Sequence, residues 1–312
     1  MATPSPAAAN VLDASVVAAI EDLELAARLV VEGLRAGGNR SPFRGAGTEF
    51  REHRAYRAGD DLKYLDWKLF ARSDRLYTRQ FRETTNLSVL FVLDTSASMA
   101  FPEERLSKFR YATIVTAALA HLAEGHGHAT GFITMEHGAL SFLPARGGRA
   151  HLRSLIARID GLVAGGSFDA ARCIARGAEL LKRRGVMIVL SDFYDAEEET
   201  RRALRHAAQH GHDVAMFQVI SRDELDLPYG GQLELEDLES GAKRVVDAAA
   251  IASPYRVAVA GFLERCRREA ARDGLDYALL STDVAPGRAL RDYLLEREAR
   301  AAPERAIHAA PR

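Results

Sequence analysis

Short apolar runs, each closed by small polar residues and followed by a stretch of helical periodicity, set the narrowest limits on how this chain folds. Leu87-Ser88-Val89-Leu90-Phe91-Val92-Leu93 ends in Asp94-Thr95-Ser96-Ala97-Ser98-Met99, and Val186-Met187-Ile188-Val189-Leu190 ends in Ser191-Asp192. Runs this short and this continuously apolar are buried on both faces, which is the habit of parallel strands. Parallel strands need long crossovers, and helices supply them. Strands are expected at 87–94, 129–135, 139–143, 186–191, 213–220 and 276–281. Helices are expected at 105–124, 148–163, 168–184, 197–211, 255–273 and 286–299, with a hairpin pairing 232–236 and 243–247. The fold class that follows is α/β: a mainly parallel sheet with helices on both faces.

Two segments precede the sheet. Leu12, Val16, Ile20, Leu23, Ala27, Val30 and Leu34 recur every three or four residues, so 11–36 is expected to be an amphipathic helix stopped by Gly37-Gly38. Its apolar stripe is expected to pack on the protein's own body, with docking onto a partner as the alternative. Residues 40–86 are rich in Arg, Asp and aromatics, with hairpin chemistry at Ala58-Gly59-Asp60-Asp61, and form a small β-rich extension. The expected organisation is therefore 1–39 as a disordered start and amphipathic helix, 40–86 as the β-rich subdomain, 87–300 as the main domain and 301–312 as a flexible tail.

Open α/β sheets bind ligands at the carboxyl ends of their strands, where Asp94, Ser96 and Ser98 lie. If the chain curls over the strand end, these alternating residues converge on one point as a carboxylate and two hydroxyls. Gly165-Gly166-Ser167-Phe168-Asp169 is a glycine-rich turn opening a helix, with Ser167 or Asp169 available as its cap, and Asp192 closes a second strand. Asp94, Ser96, Ser98, Ser167 and Asp192 together are hard oxygen donors suited to Mg²⁺ or Mn²⁺.

In these residues the chain resembles a von Willebrand factor A-like domain, whose metal-ion-dependent adhesion site reads Asp-x-Ser-x-Ser, then a distant Thr, then a distant Asp. Ser167 stands where that family usually has Thr. A narrower resemblance, to the bacterial domain of unknown function 58 family, runs from about Ser41 to about Val246. It is carried by Ser41-Pro42-Phe43-Arg44-Gly45, Glu49-Phe50, Arg54-Ala55-Tyr56-Arg57-Ala58-Gly59-Asp60-Asp61, Leu65-Asp66-Trp67, Ala71-Arg72, Arg79-Gln80-Phe81-Arg82-Glu83 and Ser191-Asp192-Phe193. The adhesion-site resemblance implies that Ser96 and Ser98 bind the ion directly and Ser167 directly or through water, while Asp94 and Asp192 hold coordinated waters and orient the hydroxyls. Neutral hydroxyls leave most of the ion's charge uncancelled, so an open position accepts an incoming Asp or Glu carboxylate. The narrower resemblance implies a cytosolic, non-enzymatic protein-interaction module, adaptor or cofactor to a MoxR-type AAA+ ATPase or its client.

Composition excludes several other classes. The 42 basic and 43 acidic side chains leave a net charge of −1, so the chain as a whole attracts neither nucleic acid nor an anionic membrane. Cys173 and Cys266 have no metal-type spacing and are expected to be reduced. The Ala/Pro-rich start lacks a signal-peptide pattern and no stretch approaches the roughly 20 apolar residues of a membrane helix, so a soluble cytoplasmic protein is expected.

Between Arg51 and Arg82, nine Lys/Arg stand against five Asp/Glu and alternate with aromatics. Nucleic-acid binding there is one alternative function, but the interspersed carboxylates favour an ion-paired subdomain with Trp67 and Phe81 in its core. A metal-dependent phosphohydrolase is the other; an aspartyl nucleophile usually has a second Asp two positions on, and here that position is Ser96. Thr95 and Ala97 do not frame Ser96 as a serine nucleophile. His121, Glu124, His126 and His128 are expected to mark a loop rather than a metal site, and Arg146-Gly147-Gly148-Arg149 a turn rather than a phosphate cradle.

Overall fold

The computed structural model describes residues 20–36, 48–55, 69–70, 72, 75–83, 87–103, 105–181, 184–194, 198–238 and 241–308. The chain falls into two units, residues 43–87 and the remainder.

In the smaller unit, β1 (Thr48–Ala55) and β2 (Tyr77–Glu83) pair antiparallel, with a bulge between Phe50 and Glu52. Ala55 faces Tyr77, so residues 56–76 connect the two strands. The turn expected at 58–61, Trp67 and the side chain of Phe81 lie outside the described residues.

The larger unit begins with α1 (Leu23–Ala36). Leu23, Ala26, Ala27, Val30, Val31 and Leu34 are all buried, so the apolar stripe is covered by the protein's own body. The helix starts at Leu23, with 20–22 ahead of it not helical, and the part expected at 11–19 lies outside the described residues. Next come β3 (Ser88–Leu93), a 3-10 turn at Ala97–Ala100, α2 (Lys108–Gly125), β4 (Ala129–Glu136) and β5 (Ala139–Arg146). The helices α3 (Arg149–Asp160) and α4 (Ala170–Leu180) lead to β6 (Val186–Ser191), α5 (Glu198–Gln209) and β7 (Asp213–Ile220). A short α6 (Arg222–Asp226), the hairpin β8 (Gln232–Glu236) with β9 (Lys243–Asp247), α7 (Ala248–Arg272), β10 (Asp276–Ser281) and α8 (Pro286–His308) complete the chain.

The sheet order is β10-β7-β6-β3-β4-β5, parallel throughout except for β5 at one edge. Counting only its six strands this is the 3-2-1-4-5-6 order of a doubly wound fold, and the order reverses between β3 and β6. Alternation along β3 sends Leu90 and Val92 into a core shared with Cys173 and Ile174 of α4, Leu204 of α5 and Ala270 of α7. The opposite face is covered by α2, α3 and α8, with α1 stacked on α2. There Phe217 of β7 meets Tyr293 of α8 edge-on at 4.7 Å between ring centres.

Two other helix ends of the larger unit depart from expectation by seven residues or more, and one short helix was not expected. The helix α7 starts at Ala248, not 255, because the Asp247 side chain accepts the Ala249 N–H and the Ala248–Ala250 run propagates the helix through Pro254. The helix α8 continues past 299 to His308, across Pro303, in a stretch otherwise rich in the helix formers Ala, Glu and Arg. The helix α6 had no counterpart in the expectation, although Ser221 and Glu224 form a capping box over it.

Candidate metal centre

Asp94 and Asp192 follow β3 and β6, the two strands between which the sheet order reverses. The ladder continues one residue beyond β3, where the Asp94 N–H donates to the Leu190 carbonyl at 3.0 Å. Asp94 is thereby held beside the end of β6.

After Asp94 the chain curls into the 3-10 turn. The Asp94 Oδ1 accepts the Ser96 N–H at 2.8 Å, and Thr95 turns inward, donating its hydroxyl to the Met135 carbonyl at 2.7 Å. With Thr95 pointing down, Ser96 and Ser98 project together, and their Oγ atoms lie 3.1 Å apart. Neighbouring oxygens in an octahedral Mg²⁺ shell, about 2.1 Å from the ion, are about 3 Å from one another. The two hydroxyls are thus spaced as adjacent ligands of a small hard cation.

Asp192 faces the same point. Its Oδ2 accepts the Ser98 hydroxyl at 2.7 Å and its Oδ1 the Tyr194 N–H at 3.2 Å, while its carbonyl accepts Gln218 Nε2 at 2.8 Å. The next residue, Phe193, has φ +57°, a left-handed conformation that is uncommon for an aromatic residue and concentrates at functional sites. This twist buries the Phe193 ring and lets its N–H donate to Ser191 Oγ at 2.9 Å. Ser191 in turn donates to the Asp94 Oδ2.

Ser167 reaches the site through its loop. The Gly165 N–H donates to the Thr95 carbonyl at 2.9 Å and the Ala97 N–H to the Gly166 carbonyl at 3.1 Å, so the main chains of the two loops are stitched together. Ser167 itself is exposed, and the cap of α4 is Asp169, which accepts the Arg172 N–H at 2.8 Å. Asp94, Ser96, Ser98 and Asp192 are therefore joined by one hydrogen-bond network, and Ser167 sits on the loop beside it.

The electrostatics of this network ask for positive charge. Asp94 is 4 % exposed and its carboxyl is pushed up to about 7, first by burial and then by the neighbouring Asp192 charge, against the hydrogen bonds from Ser191 and Ser96. Among the described residues no group of three or more His, Cys, Asp or Glu side chains is placed to hold a metal. An ion here would rest on two carboxylates and serine hydroxyls, a hard-oxygen set of the kind Mg²⁺ or Mn²⁺ takes.

Sequence comparison places these residues in a lineage. The model of a family described as protein of unknown function DUF58 matches residues 52–261, more than half of the chain. The chain belongs to the DUF58 family. A relative, the uncharacterized protein Rv1480 of Mycobacterium tuberculosis, is 30% identical over 274 residues, covering 84% of this chain and 86% of its own length. Among solved structures, the chain is similar to an aerotolerance-related membrane protein from Bacteroides fragilis at 16% identity, over 67% of this chain and 99% of that one, with a TM-score of 0.46. It is also similar to the SpRpn10 VWA domain at 13% identity, over 43% of this chain and 76% of that one, with a TM-score of 0.34. Among the described residues of this DUF58 protein no helix is long and apolar enough to cross a membrane.

Several residues of the centre were not singled out from the DUF58 sequence. Ser191 orients Asp94, and Lys108 donates to Asp192 Oδ2 at 2.8 Å and to Glu224 Oε1 at 2.6 Å. A lysine opening a helix reads as a solvated charge, and nothing local announces that its partners lie 84 and 116 residues away. The Ser221-x-x-Glu224 spacing was the one available signal, a capping box that fixes Glu224 at the start of α6. Of the residues expected to mark a loop, His121 and Glu124 lie in the last turns of α2, while His126 and His128 follow it 6.4 Å apart, and burial together with the His126 charge holds His128 below the usual histidine range. Cys173 and Cys266 are both free thiols in the interior.

Proposed function

We propose that this DUF58 protein is a metal-dependent protein-interaction module and not an enzyme, in which Mg²⁺ or Mn²⁺ captures an Asp or Glu carboxylate of a partner protein. Ser96 and Ser98 would hold the ion, Ser167 would complete its shell directly or through water, and Asp94 and Asp192 would orient the hydroxyls and bound waters. The ion's contribution is a positive charge that the neutral hydroxyls leave largely uncancelled. The observation that carries this reading is the pair of hydroxyls 3.1 Å apart, flanked by two buried carboxylates at the point where the strand order reverses.

For the partner, the family resemblance supplies the class: a MoxR-type AAA+ ATPase or its client, in the cytoplasm. Its support is that resemblance alone. The test is retention of the purified MoxR-type ATPase from the same organism on the immobilised protein, in Mg²⁺, in chelator and with a Ser98→Ala variant. Removing the Ser98 hydroxyl deletes one ligand and one bond to Asp192, so Ser98→Ala is expected to weaken metal affinity by at least about 10-fold and to lose the ATPase together with chelator treatment. An ATPase that stays bound in chelator would show that the metal does not mediate the contact.

A further inference from the structure

Lys108 is the first residue of α2 and its side chain is 0 % exposed. A positive charge at the amino end of a helix opposes the helix dipole, and an ammonium buried to this degree gives up its hydration. Both costs are met only by the company it keeps. Its Nζ lies 2.8 Å from Asp192 Oδ2, 2.6 Å from Glu224 Oε1 and 4.9 Å from the centre of the Tyr194 ring. The Asp192 oxygen it touches is the one that also accepts the Ser98 hydroxyl. Glu224 is fixed independently, because its Oε2 accepts the Ser221 N–H at 2.8 Å in the cap of α6.

Asp192 and Glu224 thus share a single ammonium built into the protein, and Asp94 lies on the other side of Asp192 in the same network. A divalent ion at the Ser96 and Ser98 hydroxyls enters a field that Lys108 has already partly neutralised, and shares Asp192 with it. We infer that Lys108 is a resident counter-cation that restrains the affinity of this centre for divalent metal, with Glu224 drawing its charge away from Asp192. The inference rests on the metal-binding reading above. It differs from a purely structural role for Lys108 in the sign of one effect. A pin that merely holds Asp192 in place would, once removed, loosen Asp192 and weaken metal binding. A counter-cation, once removed, leaves Asp192 and Glu224 uncompensated, and the metal binds more tightly.

The experiment is calorimetric titration of Mn²⁺ into the full chain and its Lys108→Met and Glu224→Gln variants, with thermal unfolding of each in chelator and in Mn²⁺. Methionine keeps the length and apolar stem of lysine, and glutamine keeps an acceptor for the Ser221 N–H. Lys108→Met is expected to bind Mn²⁺ at least about 10-fold more tightly and to gain more in melting temperature on adding Mn²⁺ than the unmodified protein. Glu224→Gln, which makes the surroundings more positive, is expected to bind more weakly. Unchanged or weaker binding by Lys108→Met, or tighter binding by Glu224→Gln, overturns the counter-cation role while leaving the metal centre standing. Absence of Mn²⁺ binding in all three proteins overturns the metal centre, and the counter-cation role with it.

Discussion

Asp94→Asn is expected to lower divalent-cation affinity by about 100-fold and, at the same time, to raise the melting temperature of the metal-free protein. Both effects come from one charge. Asp94 is buried, receives hydrogen bonds from the Ser96 N–H and the Ser191 hydroxyl, and faces the Asp192 carboxylate across the site. Without a cation that arrangement is unfavourable, because burial and like charge both oppose ionisation. Asparagine keeps an acceptor for the Ser96 N–H and removes the repulsion. The metal-free gain should be about 1–2 kcal/mol at pH 8, or roughly 2–6 °C. Alanine would instead orphan the Ser96 N–H, so asparagine separates charge from loop geometry more cleanly. Mn²⁺ titration and thermal unfolding in chelator are the two readouts. Near-normal Mn²⁺ affinity, or a fall in the metal-free melting temperature, would show that the Asp94 charge is not what a cation answers.

The largest purely structural loss is expected from Gly131→Ala. Gly131 lies in β4 at the bulge where the register with β5 shifts between Thr130 and Phe132. A Cβ there would stand 2.5 Å from the Leu143 carbonyl oxygen and 2.6 Å from the Ala145 nitrogen, both main-chain atoms of β5 that cannot rotate aside. The edge strand must move away from the sheet, and its ladder bonds and the side chains beneath it go with it. The expected cost is about 3 kcal/mol, a fall of roughly 6–12 °C in melting temperature. Amide exchange should show 139–146 losing protection first. A melting temperature within about 1 °C of the unmodified protein would mean that the two strands separate at no cost.

The sheet was legible because its strands announce themselves locally. Val186–Ser191, Asp213–Ile220 and Asp276–Ser281 occupy the residues expected of them, as does the hairpin of Gln232–Glu236 with Lys243–Asp247. Buried strands are apolar along their whole length, and turns punctuate them. Helix starts were harder where a competing signal stood nearby: Pro254 suggests a first helical turn, yet the Asp247 cap seven residues earlier is stronger. At the centre, the alternation of Asp94, Ser96 and Ser98 and the strand-end position of Asp192 could be read directly, because a site at a strand end is encoded in short consecutive stretches. Lys108 and Glu224 could not, because their importance exists only across the sheet edge, where α2 and α6 arrive from distant parts of the chain.

The stitching of Asp94 to Leu190 has a consequence for when the centre comes into being. Ser98 and Asp192, which share a hydrogen bond, are 94 residues apart in the chain, and the ladder that brings them together joins β3 to a strand made long after it. During synthesis the first half of the donor set waits, unpaired with its partner carboxylate, until β6 has emerged and docked. The proposed cation site therefore exists only once β6 has docked on β3: a copy that ends before Asp192, or in which β6 is misplaced, lacks half of it.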